Sequence, residues 1–187
     1  MVLERSLYYR CMTSAPTADP SLLGLYRRLA RRPFGRRVFS LAVSWKAPYF
    51  RTIRPVFVDL ARGRAEVRAK NRWAVHNHIG TFHAIACCNL AEIAAGTAME
   101  ATLQHSHRWI PKGITVGYLA KAETDLRAVA VVPDLSDLAD DESREVVVPV
   151  DVVDTHGTTV VHADIAMWVS PRSRTKETDA SAAGTRA

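Results

Sequence analysis

The sequence has little cysteine, no long apolar run and no sign of a secretion signal. Its three cysteines, Cys11, Cys87 and Cys88, are too few for a disulfide framework and lack CxxC or zinc-finger spacing. We therefore expect a reducing compartment and no structural metal. No stretch reaches the roughly 18 apolar residues that cross a bilayer, and the N-terminus lacks an apolar signal core. These absences predict a cytoplasmic protein without integral membrane association.

Internal repeats, Walker loops and GxGxxG motifs are also missing, which argues against repeat folds, nucleotide hydrolysis and Rossmann-type cofactors. We expect no cofactor. The 187 residues are 48% hydrophobic and 24% charged, a composition typical of one globular domain. We predict a disordered segment over 1–20, a single domain over 21–169 that includes N-terminal helices within 21–47, and a disordered tail over 170–187.

Charge is distributed unevenly along the chain. Residues 1–72 carry 16 basic and 4 acidic residues, whereas residues 73–169 carry 5 basic and 13 acidic residues. The basic part could contact nucleic acid, an anionic membrane or a polyanion such as coenzyme A, or it could be a solvated surface that balances the acidic part. We expect no nucleic-acid partner, because the arginine-rich helices lack interleaved exposed aromatics and any known reading motif.

Two helices are predicted at the start of the domain, over about 21–30 and 35–46, with breaks at Pro33 and Pro48. Each carries an apolar stripe at helical spacing. The first stripe contains Leu22, Leu25, Tyr26 and Leu29, and the second contains Val38, Leu41, Ala42 and Trp45. Such stripes can lie on a membrane surface, but we expect both to pack onto the protein's own core, which is the commoner arrangement.

After Pro55 the apolar pattern changes to the period of β-strands. Strands are predicted over 56–60, 64–70, 102–120, 125–132, 145–153 and 158–169. The range 102–120 is either one long strand or two strands with a bend at Pro111–Gly113. One long apolar helix is predicted between them, over about 81–99. This order predicts an α+β fold in which an antiparallel sheet of about six strands wraps around that helix.

The loop before the long helix holds three histidines, His76, His78 and His83, but not at metal-ligand spacing, and we expect no metal there. The helix start offers free N–H groups and a positive dipole end, which suit a negative charge on a carbonyl oxygen. Glu92 is nine residues beyond His83 in an almost wholly apolar helix. A buried carboxylate is costly unless it is paired or functional. We therefore expect Glu92 to be a functional residue, with a hydrogen-bonded core residue as the alternative.

The segment Asn77-His-Ile-Gly-Thr-Phe-His83-Ala84, followed by Leu90-Ala-Glu92, resembles the motif of hotdog-fold thioesterases of the phenylacetate-pathway type. In that family an Asn, a Gly and a His-Gly pair precede the central helix, and an Asp or Glu follows on it. The resemblance covers about 55–169. The stretch 108–122 and the extra N-terminal helices are similar to an uncharacterised bacterial subgroup of hotdog proteins.

This resemblance implies hydrolysis of acyl-CoA or acyl-carrier-protein thioesters by a homodimer or homotetramer with sites between subunits. The implied residues are Glu92, Asn77 and His83 for catalysis and Gly80, Thr81 and Ala84 for binding substrate and oxyanion. Glu92 would act as general base or nucleophile, Asn77 would position water or the carbonyl, and the backbone N–H groups near His83 and Ala84 would form the oxyanion hole. Two positions depart from the family pattern: Ala84 replaces a Gly, and Glu92 replaces the commoner Asp.

Two further functions stay open. Hotdog dehydratases use a His before the helix and a Glu on it, and His78 and Glu92 resemble that pair, although the Pro-Gly segment between the two is missing. A non-catalytic module that binds acyl-CoA or acyl-carrier protein would keep the fold and would not need Glu92. We rank both below hydrolysis.

Overall fold

The computed structural model describes residues 21–172, and the predicted disordered segment 1–20 and most of the predicted tail lie outside them. The helices are α1 (Ser21–Ala30), α2 (Gly35–Lys46) and α3 (Ala84–Thr102), with short 3₁₀ helices at Pro48–Thr52 and Trp73–Val75. The strands are β1 (Val56–Ala61), β2 (Arg64–Ala69), β3 (His107–Tyr118), β4 (Leu126–Val131), β5 (Arg144–Val153) and β6 (Thr159–Pro171). The last strand therefore continues two residues beyond the predicted domain end at 169.

One six-stranded antiparallel sheet has the order β1-β2-β4-β5-β6-β3 and wraps around α3. Most of α3 is buried: Leu90, Ile93 and Met99 are among the largest fully buried side chains. A helix enclosed on most sides is apolar nearly all round, as this sequence is. The α+β prediction and the hotdog fold that the resemblance implied are both confirmed.

The predicted bend in the third strand is a β-bulge. β3 is one strand that pairs with β6 along its length, and its register shifts between Pro111 and Gly113. Proline cannot donate to a strand ladder, so it occurs at bulges and sheet edges. β3 lies at an edge of the sheet, and this edge is next to the site described below.

The helices α1 and α2 cover β1, α1 largely with the predicted side and α2 with a different one. From α1 it is Leu23 and Tyr26 that are buried, and the Tyr26 ring packs edge-to-face against Phe39 of α2 at 5.1 Å between centroids. Phe39 packs in the same way against Phe57 of β1, at 5.0 Å. Leu25 is exposed.

The predicted stripe of α2 was assigned to the wrong environment. Val38, Leu41, Ala42 and Trp45 are all exposed. The core side of α2 instead includes Ser40, whose hydroxyl accepts the backbone N–H of Phe57 at 3.0 Å and donates to the carbonyl of Arg36 at 2.7 Å. An unpaired backbone N–H is costly when it is buried. The side of α2 that faces the core therefore carries a buried serine, which pairs with a backbone N–H of β1, and not the predicted apolar stripe.

Candidate functional site

Asn77 organises a closed turn directly before α3. Its side-chain oxygen accepts the backbone N–H groups of Ile79 and Thr81, both at 3.1 Å, and its amide donates to the hydroxyl of Thr81 at 2.8 Å. Gly80 has a φ of 80°, a left-handed conformation that glycine adopts without steric cost. Both ends of the Asn77 amide are thus engaged within its own turn, and the residue holds the loop in shape.

Two backbone hydrogen bonds attach this loop to the fold. The N–H of Phe82 donates to the carbonyl of Ala122 at 2.8 Å, and the N–H of His83 donates to the carbonyl of Val75 at 2.7 Å. The Phe82 ring is buried. The turn is therefore fixed at both sides of its exposed tip, as a loop that positions a reacting group must be.

His83 caps the start of α3. Its Nδ1 accepts the N–H of Ile85 at 3.1 Å, and its carbonyl accepts the N–H of Cys87 at 3.0 Å. A helix start leaves four N–H groups without helical partners. The His83 ring satisfies that of Ile85, and the N–H of His83 itself is taken by the carbonyl of Val75, so it is not free for an oxyanion. Within residues 21–172, the N–H of Ala84 has no protein acceptor. It remains available to an oxygen of a ligand at the positive end of the helix dipole.

Glu92 is exposed, which corrects the expectation of a buried carboxylate. It lies on the one side of α3 that the sheet leaves open, seven residues after Ile85, which is 56% exposed, and four after the half-buried Cys88. No described residue forms a salt bridge with Glu92. An unpaired carboxylate thus stands among apolar neighbours on the outside of the single chain.

The adjacent edge strand continues this apolar surface. Ile114, Val116 and Tyr118 alternate along β3 on the side that faces α3, opposite buried residues of β6. The Tyr118 hydroxyl lies 3.2 Å from Sγ of Cys88 and joins the two elements. We call this surface the α3–β3 face: Ile85, Cys88, Glu92, Ile114, Val116 and Tyr118.

Two groups beside this face have raised pKa values. The hydrogen bond with Cys88, followed by desolvation, raises the pKa of Tyr118 to about 12. Burial raises the pKa of Cys87 to about 12, so at neutral pH its thiol is protonated and is a poor nucleophile. Neither group supplies a base near pH 7. Among the described residues, Glu92 is the one carboxylate of the α3–β3 face.

At its other end α3 closes against β3. A Cβ on Gly96 would lie 2.9 Å from the Trp109 ring, so only glycine allows the indole this close to the helix. The indole N–H of Trp109 also donates to the carboxylate of Glu100 at 2.9 Å. The open part of α3 is therefore limited to its first half, beside the Asn77 turn.

The structure places the predicted residues unequally. It brings Asn77, Gly80, Thr81, His83 and Ala84 together in one turn and helix start. Glu92 stands further along the same helix on its exposed side. His78 is exposed at the tip of the turn, and Nε2 of His76 instead lies 2.6 Å from the side-chain oxygen of Asn71. Over residues 21–172, no group of three or more His, Cys, Asp or Glu side chains could hold a metal ion.

Two residues near this site escaped the sequence reasoning. The buried Asn89 donates from its side chain to the hydroxyl of Thr52 at 3.0 Å, while its amide oxygen has no partner. Tyr118 was read only as part of a strand. An asparagine inside an apolar helix was a usable signal for the first, whereas the proximity of Tyr118 to Cys88 depends on the sheet order.

A separate groove of 710 Å³ lies near the ends of β2, β4 and β5 and does not belong to this site. It is lined by Arg37, Val56, Arg68, Ala69, Lys70, Asp125, Leu126, Arg127, Asp154, Thr155, His156 and Gly157. None of the predicted site residues borders it. No helix in the described part of the chain is long and apolar enough to cross a membrane.

Comparison with solved structures supports the fold. The crystal structure named genomics APC5556 is 43% identical, with a TM-score of 0.69, and the match covers 81% of this chain and 99% of that one. A Pseudomonas aeruginosa protein of unknown function, described as a probable thioesterase, is 20% identical, with a TM-score of 0.62 and coverage of 69% and 91%. A Haemophilus influenzae thioesterase is 12% identical, with a TM-score of 0.59 and coverage of 68% and 86%.

No curated protein matches the chain. One family model does, over residues 35–169, a range that begins at α2 and ends in β6 and so includes the Asn77 turn, α3 and the whole sheet. The chain therefore belongs to the family described as the domain of unknown function DUF4442.

Proposed function

We propose that this protein hydrolyses acyl thioesters, with acyl-CoA or acyl-carrier protein as the substrate class. The observation that carries the proposal is Glu92, a carboxylate that no residue within 21–172 pairs with, on the otherwise apolar open side of the central helix. Two structures of the same fold, from Pseudomonas aeruginosa and Haemophilus influenzae, are described as a probable thioesterase and a thioesterase. The reduced Cys87 and Cys88 suit a cytoplasmic enzyme.

In this proposal the working unit is a homodimer, or a homotetramer built from such dimers. β3 is a sheet edge of 12 residues with an exposed Ile114 and Tyr118, and long exposed edges are normally covered. The bulge at Pro111–Gly113 interrupts the ladder, so pairing between two copies would centre on the regular part from Ile114 to Tyr118. The Asn77 turn of one copy would then approach Glu92 of the other.

The reaction would proceed by addition of water to the thioester carbonyl carbon. Glu92, acting as general base, takes a proton from the water as its oxygen bonds to the carbonyl carbon. The resulting oxyanion accepts the Ala84 N–H at the helix start. Collapse breaks the C–S bond, and the proton held by Glu92 passes to the departing sulfur, giving a carboxylic acid and a free thiol. Direct attack by Glu92, with a mixed anhydride as intermediate, is the alternative route.

The other predicted site residues take supporting roles in this scheme. Asn77 holds the turn whose backbone approaches the carbonyl, with Gly80 and Thr81 as its other members. His83 orients the helix start through its cap on the Ile85 N–H. Ala84 adds a methyl group where the thioesterase motif has glycine, and so narrows the approach to the N–H groups.

A panel of acyl-CoA substrates, assayed for release of free thiol, tests the proposal. Glu92→Gln keeps size and polarity but removes the base, and loss of a general base costs about 10²–10⁴-fold in rate. Glu123→Gln, a second exposed carboxylate to amide change outside the α3–β3 face, is the matched control and should keep the wild-type rate. Full activity in a folded Glu92→Gln variant would refute the catalytic role.

The same variants separate the two alternatives. A dehydratase would release no thiol, would convert a 3-hydroxyacyl thioester into an enoyl thioester, and would lose that activity in His78→Ala. A binding module would retain acyl-CoA in equilibrium dialysis without any turnover. Its affinity would be unchanged by Glu92→Gln.

A further inference from the structure

Helix α2 exposes a continuous apolar stripe. Phe34 at its N-cap and Val38, Leu41 and Trp45 within it are 74%, 51%, 71% and 79% exposed. Spacings of four, three and four residues place all of them on one side of a helix with 3.6 residues per turn. We call these residues the α2 stripe. Scattered exposed apolar residues are ordinary, but an aligned row of four large ones marks an interaction surface.

The fold itself does not need the α2 stripe. Phe39 and Ser40, which fix α2 to the sheet, lie on the opposite side of the helix. Phe34 adopts a left-handed backbone with a φ of 59°, which is strained for a bulky residue. A Cβ on Gly35 would lie 1.7 Å from the carbonyl oxygen of Leu29, so the α1–α2 corner is packed backbone to backbone. The tight corner presents the Phe34 ring to solvent.

The surroundings of the α2 stripe determine what can cover it. Residues 21–54 contain no acidic residue. Their nine basic residues are Arg27, Arg28, Arg31, Arg32, Arg36, Arg37, Lys46, Arg51 and Arg54. A second copy of this chain would bring the same charges together, which is unfavourable. Residues 1–20 contain two basic and two acidic residues and so bring no net negative charge. The fitting occupant is therefore both apolar and anionic.

We propose that α2 binds this protein peripherally to the surface of anionic lipid bilayers. The α2 stripe would enter the boundary between headgroups and acyl chains, as the apolar face of an interfacial helix does. The arginines around it would contact lipid phosphates. Tyr49, 64% exposed in the 3₁₀ helix Pro48–Thr52 that follows α2, extends the row with a side chain typical of the membrane interface. This surface replaces the core packing that the sequence predicted for the stripe.

The docked helix is connected to the candidate site through Thr52. This residue ends the 3₁₀ helix Pro48–Thr52, and its hydroxyl accepts a hydrogen bond from the side chain of Asn89, three residues before Glu92 on α3. The carbonyl of Thr52 also accepts a hydrogen bond from Arg72, just before the Asn77 turn. The membrane inference goes beyond the proposed hydrolysis and does not depend on it.

Vesicle co-sedimentation of the full chain tests the inference. In about 0.15 M salt the protein should partition onto phosphatidylcholine vesicles that contain about 30% phosphatidylglycerol at least tenfold more strongly than onto pure phosphatidylcholine. The double change Leu41→Ser/Trp45→Ser should weaken this partitioning at least about 100-fold, since it removes two large inserted side chains. Arg31→Gln/Arg32→Gln should weaken it about 30-fold.

The matched control is Val131→Ser/Val147→Ser, which removes two exposed apolar side chains from the sheet. It should bind vesicles as the wild type does, as should Glu92→Gln, which separates membrane binding from catalysis. Wild-type protein that stays in the supernatant with both vesicle types overturns the inference, as does a stripe variant that still sediments fully. A stripe variant that lowers the molecular mass in light scattering would instead assign the stripe to a second copy. DNA binding that survives the stripe change and displaces the vesicles would assign the basic surface to nucleic acid.

Discussion

Helices α2 and α3 both expose apolar residues in the described chain, yet their surroundings differ in charge and shape. The α2 stripe projects from a segment with nine basic residues and no acidic one. The α3–β3 face contains a single carboxylate, without an ion-pair partner in the described part of the chain, and is bordered by an open sheet edge. Hydrophobicity alone would group the two surfaces together. Charge and backbone geometry separate them, because only the first complements an anionic surface and only the second offers unpaired strand groups to another chain.

The two sides of α2 itself provide the strongest contrast in stability. Phe39→Ala removes a fully buried ring that contacts Tyr26 and Phe57, and it should lower the free energy of unfolding by about 3–5 kcal/mol. Trp45→Ala removes a larger but exposed side chain and should change it by less than about 0.5 kcal/mol. Urea denaturation of both variants measures the difference. Equal losses would mean that the α2 stripe is covered within the protein.

The α3–β3 face should respond to a charge that the α2 stripe would tolerate. Ile114→Lys places a positive charge on each copy where two edge strands would meet, and the dimer should dissociate at least about 100-fold more readily. Thioester hydrolysis should fall with it if the site is shared. Leu41→Lys is the control on α2 and should leave the molecular mass unchanged. Analytical ultracentrifugation across a concentration series measures the molecular mass of both variants. A fully dimeric Ile114→Lys variant would exclude this edge as the interface.

The helix cap should have a smaller, separable effect. His83→Ala removes the acceptor of the Ile85 N–H and should cost about 0.5–2 kcal/mol of unfolding free energy. His83→Asn supplies another cap acceptor and should recover most of it. If His83 acts only through this cap, hydrolysis should recover in His83→Asn as well. Loss of activity in both variants, with stability restored in His83→Asn, would show that the ring itself contributes to the reaction.

The smallest expected change concerns the pKa of Tyr118. Cys88→Ala removes the hydrogen bond that is the largest cause of the raised pKa, which should fall from about 12 toward the ordinary value of 10.0 in an ultraviolet titration. The unfolded chain loses this proton near pH 10 and the folded chain nearer 12, so stability falls as pH rises across that window. At pH 7 the phenol is protonated in both states, so the contribution of the raised pKa is fully present there, and Cys88→Ala should remove the part that the hydrogen bond supplies.

Much of the architecture was readable from the sequence. The prolines at 33 and 48 and the apolar periods predicted α1 and α2 over 21–30 and 35–46, the bounds that the structure has. The strands were found because each shows alternation bounded by turn residues. The long helix was predicted to start at Thr81 and begins at Ala84, because Asn77 engages the N–H groups of Ile79 and Thr81 in a turn of its own.

The orientation of the helices was less predictable. Periodicity identifies residues that share a side but does not say which side faces the core. In α2 the decision comes from Ser40, which satisfies the backbone N–H of Phe57, a partner that no pattern within α2 reveals. In the same way Glu92 reads as buried, because its neighbours in sequence are apolar, although β3 leaves that side of α3 open. The candidate loop residues were found from the sequence. Asn89 was overlooked although an asparagine in an apolar helix is a signal in itself, and Tyr118 could be identified only from its tertiary contact with Cys88.

The strand order has a consequence for biosynthesis. β3 follows α3 in the chain but pairs only with β6, the last strand, and β4 and β5 come between them. Such non-local pairing forms late, since a long loop must close first. On the ribosome, β3, the edge strand that we assign to the dimer, would lack its partner β6 until residues through 171 have emerged. Until then both sides of β3 are unpaired, so nascent chains on one polysome are exposed to joining through β3 before each has completed its own sheet.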